Sequence, residues 1–69
     1  MKNFDLKGAE FIELNKLLKL LHLAGSGGEA NQRILDGQVR VNGQTELQKR
    51  KKLRPGDKVE IAGQTVQIS

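Results

Sequence analysis

The chain has 69 residues, 36% of them apolar, with no cysteine and a single histidine. That is room for one domain over residues 1–69, with a small core and neither a disulfide nor a cysteine–histidine zinc site to staple it. The net charge is +4, which points towards a polyanionic partner. Nearly all of it is local: seven basic residues against two acids between Arg40 and Lys58 leave +5, and the rest of the chain nets −1.

The start, Met1-Lys2-Asn3-Phe4-Asp5, leads into no apolar signal segment. The leucine-rich stretch Leu14–Leu23 is too short and too interrupted to span a bilayer. The expectation is a cytoplasmic protein with no membrane partner. Phe4-Asp5-Leu6 alternates as an edge strand does. Phe11, Leu14, Leu17, Leu18 and Leu21 then keep the i, i+3, i+4, i+7 spacing of one helix face. This predicts a helix with Glu10 and Glu13 in its first turn, Lys16 and Lys19 in solvent, His22 at its end and Gly25 as its stop.

Ser26-Gly27-Gly28-Glu29 reads as a capping box opening a second helix. Ala30, Ile34 and Leu35 are its apolar side, and Asp36-Gly37 is its end. From Gln38 the period becomes two. Val39 and Val41 lead into Asn42-Gly43, a strong hairpin signal, and Thr45 and Leu47 return. Lys49-Arg50-Lys51-Lys52 has too many charges for a buried strand and reads as a loop or exposed edge. Arg54-Pro55-Gly56-Asp57 fits a type II turn. Val59 and Ile61, then Val66 and Ile68, form further strands around Ala62-Gly63. The fold class is α+β: a two-helix hairpin followed by three to five short strands.

Catalysis finds no foothold. Ser26, His22 and Asp36 make a triad on paper only, because Ser26 is accounted for as a cap, and the carboxylates are dispersed. No cofactor, metal or small-molecule substrate is expected. The glycine turn before the second helix lacks the Lys-Ser/Thr of a nucleotide loop. The run Lys49–Lys52, with Arg54 after it, is suited to neutralising phosphates. Single-strand readers stack bases on exposed aromatics, but Phe4 and Phe11 are expected at least partly inside. What remains is structured RNA gripped by its backbone. An adaptor that sets the same basic loop on an acidic protein surface is the competing expectation.

The stretch from Ser26-Gly27-Gly28-Glu29-Ala30 to Ile34, with Gly37-Gln38-Val39-Arg40-Val41-Asn42-Gly43, resembles the S4 RNA-binding domain. Leu53-Arg54-Pro55-Gly56-Asp57-Lys58-Val59 resembles that family's closing turn and strand. The resemblance covers about residues 10–62 and is nearest the small stand-alone bacterial members. It implies the αL motif, an αα-hairpin on a small bent antiparallel sheet. It also implies a non-enzymatic monomer that binds structured RNA, ribosomal or transfer, across its helices and the adjacent β loop. Many members carry Arg after the Ser and a second basic residue after the Ala. Here those positions are Gly27 and Asn31. The expected RNA-binding set is therefore Lys16, Lys19, Ser26, Gly27, Gly28, Arg33, Arg40, Lys49, Arg50, Lys51, Lys52 and Arg54. The Val-Asn-Gly and Gly-Asp-x-Val pair also occurs in β-grasp sulfur carriers. Those end in Gly-Gly, whereas this chain ends Val66-Gln67-Ile68-Ser69.

Overall fold

The computed structural model describes residues 2–69. Strand β1 (Lys2–Phe4) is followed by β2 (Ile12–Glu13), helices α1 (Leu14–Leu20) and α2 (Gly27–Leu35), and strands β3 (Val39–Val41), β4 (Gln44–Thr45), β5 (Lys52–Leu53), β6 (Lys58–Ile61) and β7 (Gln64–Ile68). Five strands form one sheet in the order β1-β7-β6-β3-β4, and β2 and β5 form a separate two-stranded ribbon. The sheet is mixed. Its consecutive strands run antiparallel, but β1 runs parallel to β7, with Lys2 opposite Val66 and Phe4 opposite Ile68.

One face of the sheet is apolar, as its period of two requires. Val39, Val41, Val59, Ile61, Val66 and Ile68 point inward and meet Leu14, Leu17, Leu18, Ala30 and Ile34 of the helices. No polar or charged residue is buried among the described residues. Leu35, read as apolar support for α2, is half exposed, and so are Leu20 and Leu47.

Helix α1 is shorter than its leucine spacing predicts. It begins at Leu14, so Phe11 precedes it, Glu10 lies in the preceding loop and Glu13 is its N-cap, with no carboxylate in the first turn. The reason is pairing: Ile12 and Glu13 are drawn into the ribbon against Leu53 and Lys52. The stop also differs. His22, not Gly25, takes the left-handed position, at φ +58°. Its N–H donates to the Lys19 carbonyl and that of Leu23 to Leu18, the paired bonds of a Schellman end.

The other punctuation follows the sequence. Ser26 Oγ accepts from the Glu29 N–H at 3.1 Å, while the Glu29 carboxylate reaches back one residue further than a capping box does, to the Gly25 N–H at 3.0 Å. Gly37 closes α2 at φ +76°, and Asn42-Gly43 and Ala62-Gly63 have the paired positive φ of type I′ hairpins. The return strand β4 stops at Thr45, leaving Leu47 outside it.

Candidate nucleic-acid interface

The basic run does not hang free. The first two N–H groups of α1 have no intrahelical acceptor. Leu14 N–H donates to the Lys51 carbonyl at 2.9 Å and Asn15 N–H to the Lys49 carbonyl at 3.0 Å. Glu13 offers α1 no side-chain cap, so the backbone of the loop caps it. Cationic side chains are thereby held around the positive end of a helix, an arrangement that raises the local potential. Lys16 is the next residue along α1, and Lys19 lies nearly one turn further; both are exposed.

The ribbon adds a second constraint. Leu53 is fully buried and Ile12 packs beside it against the core. Alternation then turns Lys52 and Arg54 to the opposite face. Ile12 pairs with Leu53 and Glu13 with Lys52, and one more step of that register sets Phe11 across from Arg54. Lys52 Nζ lies 4.9 Å from the centroid of the Phe11 ring and the Arg54 guanidinium carbon 5.8 Å from it. Glu13 shares this face and is engaged by Arg50 at 3.6 Å.

Arg54 also opens the turn that closes the motif. The Arg54 N–H donates to Asp57 Oδ2 at 2.8 Å, and Asn42 Nδ2 donates to Asp57 Oδ1 at 3.0 Å. The Lys58 N–H donates to Asn42 Oδ1 at 2.9 Å. The Asn42-Gly43 hairpin and the Gly56-Asp57 turn, separate in the sequence, are thus one clamp that anchors the end of β5.

The predicted residues fall into two groups and two separate residues. Lys16, Lys49, Arg50, Lys51, Lys52 and Arg54 are drawn to the start of α1 and the ribbon, with Lys19 further along the same helix. Ser26, Gly27 and Gly28 form the start of α2. There a Cβ on Gly27 would meet nothing within 4 Å, so packing does not demand glycine at that position. Arg33, on α2, is tied to Glu29 at 3.4 Å. Arg40 stands apart. It lies between buried Val39 and Val41 and points away from the helices, across from Glu60. It lines a shallow open cavity of about 240 Å³ with Gln38, Glu60 and Thr65.

Sequence reasoning missed Phe11 and Glu13 because it placed both on a helix. Asn31, noted only as lacking a charge, has a structural partner: it accepts from Asn15 Nδ2 at 3.1 Å and joins the two helices. Among the described residues no group of three or more His, Asp or Glu is placed to hold a metal ion, and no helix is long and apolar enough to cross a membrane.

Comparison with known proteins places this geometry. The family model described as the S4 domain matches residues 4–69. YbcJ of Escherichia coli (strain K12) is 41% identical over 68 residues, 99% of this chain and 97% of that one, and YbcJ of Shigella flexneri is equally similar. The solution structure of the E. coli protein, described as revealing an αL motif involved in RNA binding, superposes with a TM-score of 0.73. That match covers 99% of this chain and 86% of the other. The 30S ribosomal protein S4e from Thermoplasma acidophilum matches at 26% identity and a TM-score of 0.67, over 83% of this chain but 30% of its own length. By its family match, its identity to YbcJ and its superposed architecture, the chain belongs to the S4 domain family.

Proposed function

We propose that this protein is a non-enzymatic module that binds structured RNA by its phosphates, using the basic run, the ribbon cations and α1. The observation that carries the reading is the bonding of the Lys49 and Lys51 carbonyls to the first N–H groups of α1. A loop fixed in this way holds four consecutive cations beside Lys16 without ordering a long segment on binding, and less ordering leaves more of the contact energy as affinity. The RNA-binding description of the E. coli relative's structure supports the same ligand class. The Gly27 and Gly28 N–H groups, which have no intrahelical acceptor, are the backbone donors of the set, with Ser26 fixing their geometry.

Structured RNA fits better than a single strand. Stacking readers need open aromatic faces, whereas Phe4 and Phe11 are both partly buried and Phe11 is engaged by cations. If about four to six phosphates are neutralised, log affinity falls with log salt at a slope of roughly −3 to −5. Titrating a labelled RNA stem-loop at several salt concentrations measures this, and a flat response overturns the reading. Replacing Lys49, Arg50, Lys51 and Lys52 together by Ala removes most of the binding. Thermal stability changes little, because exposed charges contribute on the order of 0–1 kcal/mol and the capping carbonyls remain. Partners that co-purify after nuclease treatment would favour the adaptor instead.

A further inference from the structure

We propose that Phe11 is a positioning residue for RNA binding, and that its ring, Lys52 and Arg54 work as one phosphate-gripping unit on the β2–β5 ribbon. The inference rests on the reading above and assigns the ribbon a part in it that is separate from the helices.

Three observations converge. Both cations lie within reach of one ring, at 4.9 and 5.8 Å from its centroid. The backbone imposes this: Leu53 is anchored in the core between them, so Lys52 and Arg54 share the outer face by alternation, and the register brings Phe11 beside both. The acid on that face, Glu13, is occupied by Arg50.

Lysine and arginine side chains are long and lose considerable rotamer freedom when fixed. An aromatic face attracts a cation through its quadrupole without consuming the N–H donors. The ring therefore restricts where the two charged ends go and leaves their hydrogen bonds for a phosphodiester. A ring that carries cations is not a base platform, so the ligand group of this unit is phosphate and not a nucleobase.

The test compares Phe11→Leu, which keeps an apolar side chain on the outer face of the ribbon but removes the ring, with Phe11→Tyr, which keeps the ring. The probe is a fluorescein-labelled RNA stem-loop. Phe11→Leu is expected to weaken binding by about three- to tenfold, and Phe11→Tyr to stay within about twofold of the parent. The salt slope should not change in Phe11→Leu, because the number of cations is the same. In a Lys52→Ala, Arg54→Ala background, Phe11→Leu should cost nothing more. Proton NMR of the free protein gives an independent readout: upfield ring-current shifts at the Lys52 and Arg54 methylenes, lost in Phe11→Leu.

Parent-like binding by Phe11→Leu overturns the proposal, as does an equal loss in the doubly substituted background. Absent ring-current shifts in a chain that binds RNA overturn the proposal and leave the RNA reading intact. Ring-current shifts in a chain that binds no RNA overturn the RNA reading, and with it the role of the ring.

Discussion

His22 shows how one residue's backbone decides a sign. It occupies the left-handed region at φ +58°, which costs an L-residue roughly 1–2 kcal/mol relative to its ordinary conformations. Its side chain is exposed and packs little. A favourable interaction of an exposed side chain with a helix end is typically about 0.3–1 kcal/mol. The conformational cost is the larger, so His22→Gly is expected to raise stability slightly, by up to about 1 kcal/mol once glycine's extra unfolded-state entropy is subtracted. Urea denaturation measures it; a lower midpoint would show that the imidazole contributes more than its conformation costs. His22 lies at the helix end, as its position in the sequence suggests, but it is the residue that stops the helix. Gly25 is the obvious stop, and no local rule says that the chain leaves the helix three residues earlier at a histidine.

At the scale of elements, the clamp between Asn42 and Asp57 is the most exposed to test. Asp57 accepts from both the Asn42 side chain and the Arg54 N–H, and hydrogen bonds to a charged group contribute about 1.5–3 kcal/mol each. Asp57 is only partly buried, so Asp57→Ala should destabilise by about 2 kcal/mol in total. A double-substitution cycle with Asn42→Ala should show that the two losses are not additive. These elements were legible. Asn-Gly and Pro-Gly-Asp carry turn chemistry that owes little to distant contacts, and Ser26 caps its helix as written while Glu29 reaches back to Gly25. The ribbon was not legible. Phe11-Ile12-Glu13 satisfies a helical period with the leucines after it, and a two-residue strand has no period of its own to set against that. Only its distant partner, Lys52-Leu53, settles the matter, and a strand so short does not announce its partner.

Across the whole molecule the cations are sorted by face. The basic run, Lys16 and the ribbon pair gather at the start of α1, whereas Arg40 is on the far side of the sheet, across from Glu60. Arg40→Ala is therefore expected to change RNA affinity by less than about twofold, against about fivefold or more for Lys52→Ala. An equal loss for both would mean that the nucleic acid wraps the sheet. The sequence located the excess charge between Arg40 and Lys58, but alternation within β3 divides that block between two surfaces, a division invisible in a charge count. The pairing of β1 with β7 has a different kind of consequence. It joins Lys2 to Val66 and, through the Ser69 N–H, Ser69 to Phe4. Closing so long a loop is entropically slow, whereas the helices and hairpins gather contacts from close neighbours. β1 therefore finds its place late, because the strand it lies against follows it only after both helices and all the intervening strands. During translation Lys2–Phe4 must wait, unpaired, for Gln64–Ile68 to emerge.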